Sequence, residues 1–175
     1  MVHSIELLFD DRTDAALRRL WQRLAEARLP GHARICSLSS RPHVTLTVAE
    51  RIDPGADEPL RAIADRLPLR CALGAPVLFG SGRFVLARLI VPSRELLDLQ
   101  RVVHEICEPH MTPGRVAHTS AGQWTPHATM CRGLTAQAAG EAFAAVRDLG
   151  RDLAGQFVGL RHWDGERRVE HVLLS

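Results

Sequence analysis

The segment Arg41-Pro42-His43-Val44-Thr45-Leu46 decides the fold of this chain, because a close copy returns as Thr125-Pro126-His127-Ala128-Thr129-Met130. In both copies a proline precedes the histidine, a threonine follows two places later, and the next residue is apolar. Side chains alternate between the faces of a β-strand, so the histidine and threonine of each copy should share one face. His127 follows His43 by 84 positions in a chain of 175 residues. This spacing predicts a duplicated unit folded about a pseudo-twofold axis, with two His-Thr pairs facing one cleft.

Length and composition indicate a globular protein with one domain. A chain of 175 residues with 46% apolar content can bury a core without disulfides or metals. The formal net charge of +2 is too small to indicate a nucleic-acid-binding surface. We therefore expect residues 1–175 to form a single domain and a monomer, and composition by itself indicates no partner.

The basic residues are all of one kind. All 22 are arginine, and the chain contains neither lysine nor tyrosine. Without lysine there can be no Walker A phosphate loop, no Schiff base and no lysyl-nucleotide intermediate, which excludes an ATP-dependent ligase of the lysyl-adenylate type. Any phosphate must therefore be bound by arginine, histidine, hydroxyls or backbone amides.

The cysteines and the hydropathy pattern indicate the cellular compartment in which the protein is expected. Cys36, Cys71, Cys107 and Cys131 are scattered, form no C-x-x-C pair, and follow no secretory leader. They are predicted to be reduced core residues. No apolar run reaches the ~18 residues that a membrane span requires. We expect a cytoplasmic protein that does not associate with membranes.

The pattern along the chain mixes short strands with amphipathic helices. Strands are predicted at 4–9, 33–38, 43–49, 69–78, 84–91, 125–131, 153–163 and 167–174. Helices are predicted from Thr13 as N-cap to Pro30-Gly31, around 60–67, from Ser93 to Pro109, and from Thr135 to Gly150. Gly80-Ser81-Gly82 and the two-residue signal Asp164-Gly165 predict hairpins. Because strands outnumber helices and hairpins predominate, the fold should be α+β, mostly antiparallel, with the helices outside.

Two His-Thr pairs on one face suit the cleavage of a phosphodiester by in-line displacement. One group must take a proton from the incoming oxygen and another must give one to the leaving oxygen. Imidazoles titrate near neutral pH, and each such role is typically worth ~10²–10⁴ in rate. Threonine hydroxyls can donate to the equatorial phosphoryl oxygens. We therefore predict His43, Thr45, His127 and Thr129 as catalytic residues, with no metal and no cofactor required.

The paired Pro-His-x-Thr-apolar segments resemble those of the 2H phosphoesterase superfamily, which includes the bacterial 2′-5′ RNA ligase and cyclic phosphodiesterase families. The resemblance covers most of the chain, including both motifs, their separation, and the first strand followed by a helix. It implies a two-lobed α+β fold with both motifs lining a central cleft. It also implies action on 2′,3′-cyclic phosphates or 2′-5′ linkages, so the expected partner is an RNA end or a cyclic nucleotide.

Further site residues come from this resemblance and from position. His127, Thr129 and Arg132 match the extension His-x-Thr-x-x-Arg of the bacterial ligase families, which implies that Arg132 contacts the phosphate or nucleotide. The resemblance also suggests His127 as general base and His43 as general acid, although pseudo-symmetry allows the reverse. Trp124, directly before the second motif, is a candidate to stack on a base, with core or rim packing as the alternative.

Other polar residues are weaker candidates. His104, Cys107 and His110 look like a metal set, yet helical geometry turns the third position away and Pro109 breaks the run. We therefore predict no metal site there. Arg115 and His118, in the long predicted loop between Pro109 and Trp124, and His3, in the first strand, are further candidates for contact with ligand.

Two competing functions fit the same residues. A non-catalytic nucleotide- or RNA-binding module could use the same cleft, although a pure binder has no need of an acid–base pair. A metal-dependent hydrolase would lose its activity in EDTA.

Overall fold

The computed structural model describes residues 2–29, 34–35, 40–112, 119–120, 122–146 and 152–174. The strands are β1 (His3–Phe9), β2 (Arg34–Ile35), β3 (His43–Ala49), β4 (Leu69–Phe79), β5 (Phe84–Ile90), β6 (His127–Leu134), β7 (Leu153–Asp164) and β8 (Val169–Leu174). The helices are α1 (Asp11–Glu26), α2 (Asp57–Arg61), α3 (Arg94–Cys107) and α4 (Ala136–Val146). The predicted α+β fold is confirmed.

All the strand pairs are antiparallel in the described part of the chain, and the strands form one sheet in the order β2-β6-β5-β4-β7-β1-β3. The long strand β7 pairs with β4 through its first half and with β8 through its second half, while β1 lies on its other side. The motif strand β3 thus belongs to a lobe with β1, β7 and β8, and the motif strand β6 to a lobe with β2, β5 and β4. The β4–β7 pair joins the two lobes.

Two helices reach the motif strand of the other lobe. Helix α1 follows β1 in the chain and contacts β6 of the other lobe as well as β7 and β1 of its own, and α3 follows β5 but packs behind β3. In both motif strands the residues beside the histidine and threonine point into this helical side, where Val44, Leu46, Ala128 and Met130 are buried. The core is therefore one continuous cluster shared by both lobes, and residues from one half of the chain support the motif of the other half.

Helix capping confirms two predicted starts and corrects a third. Ser93 accepts a hydrogen bond from Leu96 N (3.1 Å), and Thr135 accepts one from Ala138 N (3.2 Å), as expected of N-cap hydroxyls. The predicted N-cap Thr13 is wrong. Asp10 caps α1 instead, because its carboxylate accepts both the backbone N–H (3.0 Å) and the hydroxyl (2.9 Å) of Thr13.

Three element boundaries also differ from expectation. Helix α1 ends at Glu26, before the predicted stop at Pro30-Gly31. Pro30-Gly31 lies outside the described residues. So do parts of the predicted strand 33–38 and the predicted helix end at Gly150. The helix predicted around 60–67 is the short α2 followed by a single 3₁₀ turn, Ala64–Arg66. The last hairpin has a four-residue connection rather than a two-residue turn. Asp164 Oδ1 organises it by accepting the backbone N–H groups of Glu166 (2.9 Å) and Arg167 (2.8 Å).

One buried ion pair stands on the sheet next to the first motif. Glu6 in β1 and Arg161 in β7 are cross-strand neighbours, and Arg161 Nη2 lies 2.7 Å from Glu6 Oε2. Ser4 donates to the other carboxylate oxygen (2.6 Å), and Arg161 Nη1 reaches Glu170 (2.7 Å). The side chains of Arg161 and Glu6 are only 8% and 4% exposed, so neither charge is screened by water. Each buried charge is therefore stabilised mainly by the other.

We predict that Arg161→Met destabilises the protein by about 3–5 kcal/mol, because it leaves the Glu6 carboxylate buried without its main partner. The double variant Glu6→Met/Arg161→Met should recover much of that loss, since it removes both charges together. Chemical denaturation of the parent and the variants measures the effect, with Glu6→Met completing the cycle. Equal stability of parent and Arg161→Met would contradict the assignment.

Candidate active site

The two motif copies occupy equivalent places in the two lobes. His43 pairs with Leu8 of β1, and His127 pairs with Leu89 of β5. Each histidine and threonine is partly exposed, whereas the residue between them is buried, as the alternation predicted. Strands β3 and β6 also contact each other. We call the partly exposed sides of β3 and β6 that carry His43, Thr45, His127 and Thr129 the motif face.

Both imidazoles make the same kind of hydrogen bond to the backbone. His43 Nδ1 lies 2.8 Å from the carbonyl oxygen of Arg41, and His127 Nδ1 lies 2.7 Å from that of Thr125. A carbonyl oxygen can only accept, so Nδ1 carries the proton in each ring. In the neutral form of each ring, Nε2 is therefore the atom with a lone pair, and it is the atom left for proton transfer.

The proline of each motif explains the position of this carbonyl. A residue that precedes proline is restricted to extended conformations, which applies to Arg41 before Pro42 and to Thr125 before Pro126. The restriction fixes the direction of the carbonyl that receives the Nδ1 proton two residues later. Both prolines are buried. The repeated Pro-His pair therefore encodes a histidine of defined tautomer and orientation.

The surroundings of the two histidines differ, and the difference lies on the neighbouring strands. Thr45 pairs with Glu6, whereas the equivalent partner of Thr129 is Ala87. Glu6 Oε2 lies 3.6 Å from His43 Nδ1 and forms an ion pair with it when the imidazole is protonated. On the other side, the Phe79 ring packs against His127 with its centroid 4.6 Å away. One histidine thus has a buried carboxylate beside it and the other an aromatic ring.

The protonation of His127 reflects this environment. Burial lowers its pKa below the ordinary value of 6.5, and the positive charges of Arg132 and His43 act in the same direction. The hydrogen bond to the Thr125 carbonyl acts in the opposite direction without reversing the shift. His127 is therefore neutral over a wider pH range than a free histidine.

Arg132 and Trp124, the two predicted binding residues, both lie near the motifs. Arg132 is exposed in the second half of β6, and its positive charge lowers the pKa of His127. Trp124 is partly buried against the core, and its indole N–H donates to the carbonyl oxygen of Thr45 (2.9 Å). Contact of either residue with substrate stays a prediction.

Glu6 and Phe79 also lie beside the motif histidines, although neither was predicted as a site residue. Glu6 carried a signal, since it is a charged residue within an otherwise apolar stretch of the first strand, Ile5 to Phe9. Phe79 carried none, because a phenylalanine at the end of a strand is an ordinary core residue. Its position beside His127 depends on the pairing of β4 with β5, and of β5 with β6.

The remaining candidates lie elsewhere or outside the described residues. His3 is buried beside His162, with His3 Nδ1 3.2 Å from His162 Nε2, and His162 in turn bonds Asp57 (2.9 Å). His104 bonds the Thr47 hydroxyl (3.0 Å). Arg115 and His118 lie outside the described residues.

The described ranges contain neither a metal-binding cluster nor a membrane-spanning helix. Those residues contain no group of three or more His, Cys, Asp or Glu side chains arranged to hold a metal ion, and His104, Cys107 and His110 form none. None of the helices in these ranges is both long and apolar enough to cross a membrane.

Comparison with known proteins identifies the family. A family model described as the 2′-5′ RNA ligase superfamily matches residues 13–167, which include both motifs. The chain belongs to the 2′-5′ RNA ligase superfamily. The resemblance to 2H phosphoesterases that the motifs indicated is therefore confirmed. Membership supports a phosphoesterase activity of the RNA-processing kind. Among curated proteins, none matches the sequence.

Solved structures share the fold of this superfamily member over nearly its full length. TT0787 of Thermus thermophilus is 16% identical with a TM-score of 0.61, and the match covers 99% of this chain and 95% of that one. Kluyveromyces marxianus Usb1 with uridine monophosphate is 12% identical with a TM-score of 0.56, covering 99% and 98%. E. coli LigT complexed with 3′-AMP is 12% identical with a TM-score of 0.56, covering 97% and 91%. At these identities the likeness shows the fold.

We predict that Arg132→Met moves the acidic limb of the kcat/KM profile to higher pH. The positive charge of Arg132 lowers the pKa of His127, so its removal lets that pKa rise, and a base at this position becomes protonated at higher pH. The shift should shrink at high salt because Arg132 is exposed. If Arg132 also binds phosphate, KM should rise about tenfold.

The matched control is Arg61→Met, which removes an exposed arginine from α2 and should change neither quantity. A profile for Arg132→Met that coincides with the parent profile at low salt would contradict the electrostatic coupling between Arg132 and His127.

Proposed function

We propose that this protein is a metal-independent phosphoesterase that cleaves 2′,3′-cyclic phosphates or 2′-5′ phosphodiester ends of RNA or nucleotides. The observation that carries the proposal is the pair of imidazoles on the motif face, each with Nδ1 bound to the carbonyl two residues before it. Two Nε2 atoms of defined protonation can serve the two sides of one phosphorus. Acid and base are then both supplied by the protein, so the chemistry requires no metal.

Proton transfer in the proposed reaction is divided between the histidines. His127 Nε2 takes a proton from water as the water oxygen attacks phosphorus. The bond from phosphorus to one ribose oxygen breaks, and that oxygen receives the proton of His43 Nε2. The product is a nucleoside monophosphate, and the two histidines exchange protonation states until solvent resets them. No further reactant is needed.

The surroundings of the histidines support this direction. A general base must begin neutral, which suits His127 because burial and nearby positive charge lower its pKa. The proposed acid, His43, has the negatively charged Glu6 carboxylate 3.6 Å from its Nδ1, and this carboxylate can form an ion pair with the imidazolium. The pseudo-symmetry of the motifs does not by itself distinguish which histidine is the acid and which is the base. The Glu6/Ala87 difference between the lobes favours one of them.

We assign Thr45, Thr129 and Arg132 to stabilising the negative charge on the phosphoryl oxygens. Thr45 and Thr129 lie on the same face as the histidines and two residues further along each strand, so their hydroxyls can donate to equatorial oxygens. The Arg132 guanidinium can offer forked donors to phosphate. We assign it to binding rather than to proton transfer.

The test of catalysis as opposed to mere binding is turnover in EDTA. The protein should release a nucleoside monophosphate from a 2′,3′-cyclic nucleotide with EDTA present. Binding of the product without turnover would favour a non-catalytic nucleotide-binding module. Activity that EDTA abolishes and added metal restores would favour a metal-dependent hydrolase. A screen of cyclic nucleotides, 2′-5′ dinucleotides and cyclic-phosphate RNA ends identifies the substrate class.

We predict that His43→Ala and His127→Ala each lose at least ~10² in kcat/KM on a natural cyclic phosphate, because an alkoxide is a poor leaving group and water a poor nucleophile. On a diester with a nitrophenolate leaving group, which departs without a proton, His43→Ala should regain near-parental activity. His127→Ala should stay impaired on both substrates.

The control for histidine substitution is His171→Ala, an exposed position on β8, which should behave as the parent. Rescue of His127→Ala instead of His43→Ala would reverse the division of labour. Full activity of both variants on both substrates would contradict two-histidine catalysis.

A further inference from the structure

We propose that Trp21 and Trp124 are positioning residues that hold the two motif strands, and that Trp124 sets the spacing between the two histidines. The inference rests on the proposed function. Trp124 Nε1 donates to the carbonyl oxygen of Thr45 (2.9 Å), and Trp21 Nε1 donates to the carbonyl oxygen of Thr129 (3.1 Å). The backbone of each motif threonine is thus bound by an indole, and each indole comes from outside its strand.

The carbonyl of Thr45 lies on a strand at the end of the sheet. Within the described residues β3 pairs only with β1. An indole N–H is a donor only, so each bond has a single direction and fixes the side chain against the strand. The tryptophans therefore add a side-chain hydrogen bond that holds the backbone at each motif threonine.

Trp124 does more than support one strand, because it directly precedes Thr125. The carbonyl of Thr125 receives the Nδ1 proton of His127 (2.7 Å). The same short segment therefore orients the imidazole of the second motif and, through the Trp124 indole, is bound to the backbone of the first motif. A shift of this segment would change the separation of the two imidazoles.

Gln100 adds a second connection between the same parts. Its side-chain amide, which is buried, donates to the carbonyl oxygens of Leu46 (3.2 Å) and Thr119 (2.8 Å). Leu46 follows Thr45 in the first motif, and Thr119 lies in the chain leading to the second. Two separate hydrogen-bond donors thus join β3 to the lead-in of the second motif. Because two independent side chains make this connection, we infer that the spacing between the two motifs is fixed rather than a result of incidental packing.

Trp21 plays the corresponding part for the second motif from within the core. It lies on α1, is only 2% exposed, and reaches the back of β6 because α1 packs behind that strand. Its bond to Thr129 mirrors that of Trp124 to Thr45 across the two lobes. Because Trp21 is so deeply buried, its substitution tests stability together with position, and Trp124 is the better site for an experiment.

Trp124→Phe separates positioning from base stacking, since phenylalanine keeps an aromatic face and loses the N–H. If Trp124 is a positioning residue, Trp124→Phe should lower kcat about ten- to a hundredfold, because small misplacements of reacting groups slow the reaction strongly. KM should stay within about twofold, equally for purine and pyrimidine substrates. As a stacking residue it would show near-parental values for Phe and a base-dependent rise of KM for Trp124→Leu.

A second readout does not depend on activity. In protein labelled with ¹⁵N in its histidines, Trp124→Phe should move the imidazole resonances of both His43 and His127. The control Trp163→Phe removes an indole from β7, where the ring faces the Arg161 guanidinium at 5.4 Å, and should leave His127 unmoved and kcat unchanged.

The outcomes separate the two proposals. If the parent protein hydrolyses none of the cyclic phosphates, the proposed function fails, and the histidine resonances still decide the role of Trp124. If Trp124→Phe keeps the parental kcat and the parental resonances of both histidines, Trp124 does not set their spacing. The spacing proposal is then overturned whatever the substrate.

Discussion

The candidate site depends on one interaction made twice, the hydrogen bond from histidine Nδ1 to the carbonyl two residues earlier. This bond decides which nitrogen is available, and the intervening proline decides where the carbonyl points. Strand alternation then brings each threonine to the same face as its histidine. The lobes, the crossed helices and the two indoles support the strands that carry these bonds. A short repeated sequence thus specifies a site, provided that the rest of the chain brings its two copies together.

Pseudo-symmetry builds the pair of histidines, but catalysis by an acid and a base requires that the two differ. The difference comes from outside the motifs, since Glu6 stands beside Thr45 where the other lobe has Ala87, and Phe79 covers His127. The buried Glu6 carboxylate is in turn held by Arg161 from β7. In the proposed mechanism, duplication supplies the two histidines, and different residues on the neighbouring strands give each histidine its role.

Sequence reasoning reached the parts of this account that depend on local pattern. The motif strands, the α+β class and the caps Ser93 and Thr135 follow from alternation, hairpin signals and short-range hydrogen bonds. It failed where a residue several positions away competes for the same group, as Asp10 does at Thr13 and Asp164 does in the last turn. The roles of Phe79 and Trp21 could not be assigned, because they arise from strand pairing and helix packing between distant parts of the chain and leave no local signal. Glu6 was visible as a charge in an apolar strand, but its neighbours Arg161 and His43 are determined by strand pairing.

The most direct test of a single two-histidine site is the ¹⁵N spectrum of the imidazoles at mildly alkaline pH, recorded during titration with a uridine monophosphate. The account predicts that His43 and His127 are both Nδ1–H tautomers in the free protein. It also predicts that their Nε2 resonances shift together, with one apparent affinity, as the nucleotide phosphate binds between them. A shift of only one histidine, or an Nε2–H tautomer at either, would contradict the account.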